Sequence, residues 1–500
     1  MRITNKMMNN NSLSNINSNK TYLDKLNNQL ASGKKITRPS DDPIVAIRAL
    51  KLRSNVTELT QYYDKNTNDA QAWLEATQSS LQSTVDILTS MKAQFTKGAT
   101  GTNTTDSRSA ILKELQSLRD QIYDNGNDDY AGRQLFTGYR TSTPLTVSSD
   151  ALPLDYSDIT ETFTAEDMDS VTYVSGGLTT AEVNAADGSQ TEQSVSSTSI
   201  DRIRLAYDKI NAADGDTMSF DIKDSDGNVI NTITATVVNS DNADYPDAAY
   251  DVSGGSIFNA ETGELLLSSS DADTIKNLDN GETLEVKYDK NQWEEGDLRP
   301  EHYFSCKSTD AATGKVTEYT DHDLAIMYDV SSGQQMQINT NASEVYFHGI
   351  GRDVDEMIAA IEDVDAAAEK VAKLEAKLED TSLSDAEKAN VQTTLDAANK
   401  EFDLLSDKMQ KMFESGQTSF TSYITKASLA TTNCGSRLER VELVQNRLLD
   451  LKTTATELAD SNENAEITDV AINISEAELC YNAALMATGQ ISQQTLLSYI

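Results

Sequence analysis

The six prolines of this 500-residue chain stand at Pro39, Pro43, Pro144, Pro153, Pro246 and Pro300, so residues 44–143 and 301–500 contain none. Proline breaks a helix interior because it has no N–H and its ring clashes with the preceding turn. Two proline-free stretches of this length permit long helices toward both ends. Apolar spacing points the same way. Leu74, Thr77, Leu81, Thr84, Leu88, Met91 and Phe95 recur at alternating steps of three and four, the a/d pattern of a coiled coil. Asp42-Pro43 offers an N-cap and an N1 proline, so this helix is expected to begin at Pro43 and to end at Gly98. A second helix carries Ile111, Leu115, Leu118 and Ile122 and stops near Asn125-Gly126.

The two extremities carry stripes of their own. Leu13, Ile16, Leu23, Leu26 and Leu30 form a weaker seam that ends at Gly33. Leu438, Val441, Leu448, Leu451, Ala455 and Leu458 form another. The last comprises Ile467, Val470, Ile474, Ala477, Tyr481, Ala484, Thr488 and Ile491, followed by an apolar tail that starts at Leu496. A helix with one apolar stripe must find a partner helix or stay disordered. Residues 354–414 read as a helical hairpin. Met357, Ile361, Val364, Ala368, Val371 and Leu378 line one arm; Val391, Leu395, Ala398, Phe402, Leu405, Met409 and Met412 line the other, which opens on a Ser384/Glu387 capping box.

Charge separates the middle from the ends. The formal net charge is -39. Residues 141–400 hold 16 Lys/Arg against 52 Asp/Glu, whereas residues 1–140 hold 18 against 14. Like charge of this density suits an outward, solvated module and excludes general nucleic-acid binding, which needs clustered cations. Counted with Gly and without Tyr, apolar residues make up about 39% of the chain, below the ~45–50% of globular domains, so thin or elongated parts are expected. Within 141–345 the texture is β-rich. Ser219–Ile222 and Val229–Val238 flank the turn Asp224-Ser225-Asp226-Gly227-Asn228, a hairpin signature. Glu264–Leu267, Thr283–Tyr288 and Asp323–Val330 also read as strands, in one body or in two lobes.

No catalytic constellation emerges. The Asp224 turn lacks the distal glutamate of a calcium loop. His302, His322 and His348 form no i,i+4 pair, and His302 with Cys306 is too few ligands for zinc. Cys306, Cys434 and Cys480 make no disulfide framework; Cys434 and Cys480, on helices, read as small buried hydrophobes. Gly176-Gly177 and Gly349-Ile350-Gly351 lack the strand–loop–helix frame of a phosphate cradle. No cofactor or metal is expected. The first twenty residues have no apolar core of a secretion signal, and no run reaches a membrane span, so the expectation is a cytosolic chain or one exported without a cleaved leader.

The expected fold class is α+β and multidomain: long coiled-coil helices at both ends, a β-rich centre between them, and a helical hairpin. The expected partition is 1–42 (N-terminal helical assembly segment), 43–140 (N-terminal core helices), 141–345 (acidic β-rich outer domain), 346–414 (hairpin), 415–460 (C-terminal core helix) and 461–500 (C-terminal assembly segment). If the ends pair, the middle leaves and returns on one side. Two narrow stripes bury little alone, and many subunits side by side bury more, the logic of a self-assembling tube.

Specific residues add a resemblance. Gly33-Lys34-Lys35-Ile36-Thr37-Arg38-Pro39-Ser40-Asp41-Asp42-Pro43 resembles a loop of the flagellar hook-associated protein 3 family, the FlgL family. Gly132-Arg133-Gln134-Leu135-Phe136-Thr137-Gly138 is similar to that family's Gly-Arg-x-x-Phe-x-Gly segment, and Met1-Arg2-Ile3-Thr4 with Met7-Met8 to its opening. Val444–Leu448 and the run from Glu466 to Ile500 resemble the C-terminal region that flagellins share with this family. The resemblance implies a flagellin-like architecture and a structural role at the junction of hook and filament. It implies export through the flagellar type III apparatus. It implies as partners other copies of the chain, a second hook-associated protein on the hook side, flagellin on the filament side, and a cytoplasmic export chaperone that holds the C-terminal helix. The assembly interface would use Leu13, Ile16, Leu23, Leu30, Ile467, Val470, Ile474, Ala477, Tyr481, Ala484, Ile491 and Leu496, and the family loop Gly33, Pro39, Ser40, Asp41, Asp42 and Pro43. Two alternatives remain: flagellin itself, and a secreted surface-binding protein or adhesin whose β-rich centre binds a ligand.

Overall fold

The structure is a computed structural model that describes residues 5–100, 104–278, 281–310, 313–320, 324–380 and 382–497. Among them are nine α-helices: α1 (Asn5–Ser32), α2 (Pro43–Gln61), α3 (Thr67–Gly98), α4 (Thr105–Gly126), α5 (Thr180–Ala185), α6 (Ser269–Lys276), α7 (His348–Leu378), α8 (Asp385–Glu463) and α9 (Ile467–Leu497). The strands are β1 (Asp129–Tyr130), β2 (Arg133–Gln134), β3 (Asp155–Phe163), β4 (Met168–Ser175), β5 (Ser196–Arg204), β6 (Thr217–Lys223), β7 (Val229–Val238), β8 (Ser256–Asn259), β9 (Glu264–Leu266), β10 (Thr283–Lys290), β11 (Ser305–Thr309), β12 (Val316–Tyr319), β13 (Met327–Ser331) and β14 (Gln334–Gln337). The chain divides into two compact units. One takes Met1–Gln71, Tyr328–Met336 and Glu439–Ile500; the other takes Ala72–Met327 and Gln337–Leu438.

In the larger unit the heptad of α3 is fully spent. All seven positions from Leu74 to Phe95 are buried, threonines included. Thr77 and Thr84 tolerate this because each hydroxyl donates to a carbonyl one turn back, Trp73 O and Ser80 O. The four seam residues of α4 are buried, as are Met357, Ile361 and Val364 of α7 and Val391, Leu395, Ala398, Leu405 and Met409 of α8. Ser384 and Glu387 form the expected capping box, the Glu387 carboxylate accepting from Ser384 N and Oγ at 2.8 and 2.7 Å. The hairpin's second arm and the C-terminal core helix, expected as separate pieces divided at 414, are one continuous helix: nothing between Asp385 and Glu463 breaks it, proline being absent and Gly416 and Gly435 both lying within α8.

The β-rich centre is one ten-stranded sheet, not two lobes, in the order β12-β11-β3-β10-β6-β7-β8-β9-β5-β4. All neighbours are antiparallel except β7 and β8. Consecutive residues of its middle strands point to opposite faces. Val237, Phe258 and Leu265 enter one apolar core, and Val238, Ile257 and Leu266 enter another on the far face. In β7 only the end, Val237-Val238, is buried on both faces; Ile233 and Ala235 alternate with exposed threonines, and Val229 and Ile230 are exposed, so the β-branched run of Val229–Val238 reflects strand propensity more than burial. The β6–β7 hairpin forms as expected, and the Asp224 carboxylate closes its turn by accepting from Asp226 N and Asn228 N at 2.9 and 2.8 Å. The strand expected over Asp323–Val330 is β13, Met327–Ser331, and Asp323 lies outside the described residues. β4 and β5 gave no apolar alternation because Ser196–Ser199 faces solvent throughout.

Arginines of β5 join the sheet to α7. Arg202 contacts Asp169, Glu264 and Glu356, and Arg204 contacts Asp353 at 2.5 Å and Glu356 at 3.0 Å. Burial raises the pKa of Glu356, but the two guanidiniums outweigh it and bring that carboxyl down to about 2.

Candidate assembly interface

In the smaller unit α1 packs along α9. Gly33 closes α1 and Ala465 stands just before α9; Ala465 N donates to Gly33 O at 2.9 Å. The two helices therefore leave one point together and run antiparallel. Leu26, Val470 and Ala477 form the buried seam, with Leu23, Ala465 and Ile474 packed against it. Ile16 is buried further along; Tyr481 and Ala484 are half-buried. Leu13, Leu30 and Ile467, expected in the seam, are exposed. The α1 positions turned inward are Ser12, Ile16, Asn19, Leu23, Leu26 and Gln29. Leu13 and Leu30 each lie one residue from this row, a rotation of about 100°. The side chains of Ile491 and Leu496 lie outside the described residues.

The family loop is a polar clasp between the two helix pairs of this unit. Gly33 takes φ +67°, a left-handed conformation that suits glycine. Lys35 N donates to Glu463 O at 2.8 Å, and Lys34 bridges to Asn464. The Glu463 carboxylate receives Arg53 Nε and Nη2, each at 2.5 Å, with Lys34 Nζ at 3.6 Å. The Arg53 hydrogen bond holds the Glu463 carboxyl below the usual carboxylate range. Beyond Pro39 and Ser40, Asp41 accepts from Arg38 N at 2.9 Å and Thr37 N at 3.2 Å, which lowers its pKa. Asp42 caps α2 by accepting from Ile44 N and Val45 N, with Pro43 at N1. Arg53 and Glu463 are 410 positions apart, and no local pattern announces the pair.

Apolar side chains also face outward here. Ile44, Ile47 and Leu50 line α2 at steps of three, each 67% exposed. Ile472, Leu479 and Met486 line α9 at steps of seven. Leu451 and Leu458 of α8, expected in the seam, are exposed, and the buried row is Val441, Val444, Leu448 and Ala455. Among the described residues, seventeen of twenty-four exposed large apolar side chains lie in this unit, which is under a third of the chain.

His302 is buried and His348 half-buried, and desolvation brings them down to about 4 and about 3. His348 Nε2 sits 2.9 Å from the Tyr207 hydroxyl; His322 lies outside the described residues. Cys434 is buried, but Cys480 is exposed, because it falls on the face of α9 turned away from α1. No group of three or more His, Cys, Asp or Glu among the described residues could hold a metal ion, and no described helix is long and apolar enough to cross a membrane.

Residues 3–141 match the bacterial flagellin N-terminal helical region. This part of the chain is similar to that helical region. The chain is 32% identical over 142 residues to flagellar hook-associated protein 3 of Salmonella typhimurium, which is 28% of this chain and 44% of that protein. It is 29% identical over 144 residues to the Escherichia coli protein of the same name, 29% of this chain and 45% of that one. A flagellin of Clostridium tyrobutyricum is 33% identical over 122 residues, 24% of this chain and 32% of the flagellin. The chain spans a little under half the length of the hook-associated relatives it matches. Among solved structures, the flagellar junction protein FlgL from Legionella pneumophila aligns over 83% of this chain and 100% of its own, with 12% identity and a TM-score of 0.26. FlgL from Xanthomonas campestris aligns over 81% and 99%, with 14% identity and a TM-score of 0.25. The resemblance read from the loop and the Gly-Arg-x-x-Phe segment thus meets relatives of the same name.

Proposed function

We propose that this chain is a structural subunit of the bacterial flagellum, the hook-associated protein that joins hook to filament and assembles through its terminal helices. The observation that carries the reading is the concentration of exposed apolar side chains in the smaller unit, which holds the first half of the flagellin-like segment, while residues 141–400 hold most of the acidity. Apolar stripes at helical spacing favour other helices, and clustered like charge disfavours contact between copies. The chain would act by self-association, without catalysis, outside the cell.

The proposed contact set is Leu13, Ile16, Leu23, Leu30, Ile467, Val470, Ile474, Ala477, Tyr481, Ala484, Ile491 and Leu496, with the loop Gly33 and Pro39–Pro43 as its support. The outward positions Leu13, Leu30 and Ile467 serve neighbours; Ile16, Leu23, Val470, Ile474, Ala477, Tyr481 and Ala484 serve the α1–α9 pair. The domain partition given above describes how these roles divide along the chain. The partners are other copies, a second hook-associated protein, flagellin and a groove-type export chaperone on the C-terminal helix.

Flagellin itself is the second reading, since a flagellin is among the relatives. Seeded polymerisation separates the two. A junction protein stops at short assemblies and labels the hook–filament boundary on isolated flagella by electron microscopy. Long filaments from this chain alone would replace the junction reading with flagellin.

A further inference from the structure

We propose that the clasp around Glu463 is the fixed end of the α1–α9 pair: in the single chain it holds the two terminal helices together, and the pair opens from its far end toward the clasp. This concerns the isolated chain and holds whatever the chain assembles with.

The seam is graded. Near the clasp Leu23 and Leu26 meet Ala465, Val470, Ile474 and Ala477. Farther along, ten of the sixteen residues from Asn5 to Lys20 are Asn or Ser. Among the large apolar side chains described there, Ile16 is buried while Met7, Met8 and Leu13 are exposed. Opposite, Tyr481, Ala484 and Thr488 are only half-buried. Asn and Ser are poor helix formers, and a helix with little apolar packing is marginal in water.

Polar contacts are graded too. Ala465 N to Gly33 O, Lys35 N to Glu463 O, Lys34 Nζ to Asn464 Oδ1 at 2.5 Å and Lys35 Nζ to Ser461 O at 2.5 Å all lie at the clasp. The clasp's own supports do not depend on α1 or α9. Arg53 is on α2 and Glu463 ends α8. Those helices are joined separately by Asn462 Nδ2 to Val45 O at 3.2 Å, and Lys452 Nζ holds Asp64, just beyond the end of α2, at 2.9 Å. So α2 and α8 can pack first, close the clasp, and template the near half of the terminal pair. A partner can then take the far half of α9 by displacing the polar half of α1 while the clasp stays shut.

Hydrogen–deuterium exchange on the full chain tests this. In the wild type, residues 23–32 and 467–477 should exchange at least about tenfold more slowly than 8–19 and 481–490. Gly33→Val places a β-branched residue at φ +67° with no atom within 4 Å of the new Cβ. It therefore strains only the backbone and should speed both near segments by about tenfold, leaving 44–60 and 441–458 unchanged. Glu463→Gln should speed the same segments by a smaller factor that shrinks in high salt. Equal protection along the whole pair in the wild type overturns the proposal, as does a Gly33→Val chain whose near segments keep wild-type exchange.

Discussion

Two glycines in α8 should answer one substitution with opposite signs. Alanine replacing a glycine inside a helix ordinarily adds about 1 kcal/mol of stability, because the unfolded chain loses freedom. At Gly435 an added Cβ would find only Gln78 Nε2, at 3.6 Å, an ordinary contact. At Gly416 it would lie 2.4 Å from two ring carbons of Phe95. The ring would have to retreat by about 1 Å to restore van der Waals separation, and it has nowhere to go. Phe95 is 1% exposed and held by Phe420, ring centroids 4.7 Å apart, and by Phe413 at 5.9 Å. Overpacking of this kind costs about 1–3 kcal/mol, which exceeds the propensity gain. Gly416→Ala should therefore lose up to about 2 kcal/mol, and Gly435→Ala should gain up to about 1 kcal/mol. Gly98 mirrors Gly416, its Cβ position lying against the Phe413 ring, and Gly98→Ala should also lose stability. Urea unfolding followed by helical circular dichroism reads the three midpoints at unchanged slope. If Gly416→Ala and Gly435→Ala both raise the midpoint, close helix approach is not what keeps glycine at 416.

Glu161 is buried beneath the sheet, accepting from Ala206 N at 3.1 Å and from the Tyr288 hydroxyl, and burial raises its carboxyl to about 7. Its folded pKa lies above the unfolded value near 4.5, so its stabilising contribution is complete below about pH 4.5 and is lost as pH rises through 7, about 3 kcal/mol in all. Glu161→Gln should flatten the wild-type fall in urea stability between pH 5 and pH 8, and an identical fall in both proteins would exclude Glu161 as its source. Ile474→Asp puts a charge into the α1–α9 seam; allowing for partial exposure, it should cost about 2 kcal/mol and remove the chain from seeded co-assembly, so a variant that still co-sediments with seeds counts against the interface. Asp42→Ala removes the cap on Ile44 N and Val45 N and should cost about 1 kcal/mol, seen as faster amide exchange confined to the first turn of α2.

Periodicity was legible wherever the chain buries a face within itself. The α3 heptad is legible to the residue because every step of it is buried within the chain, and the Asp42 cap and the Ser384 box because each depends on residues two or three positions away. The sheet is readable where a strand alternates apolar and polar residues, as in β10, or flanks a tight turn, as in β6 and β7; β5 carries a run of exposed Ser and Thr at Ser196–Ser199, which leaves no apolar signature there. The Arg53–Glu463 clasp joins residues with no local spacing between them. The errors of face are of a different kind. Leu13, Leu30, Leu451, Leu458 and Ile467 follow seam spacing, and the structure turns each of them outward. A stripe at helical spacing records that a helix will meet something apolar; it does not record whether the partner is the same chain. A self-contained fold selects against such residues on its surface, since each exposed stripe invites aggregation. Their retention in the smaller unit, beside Ile472, Leu479 and Met486 on α9, is therefore informative: the positions where inward and outward faces are confused in the sequence are those that the proposed self-association would cover.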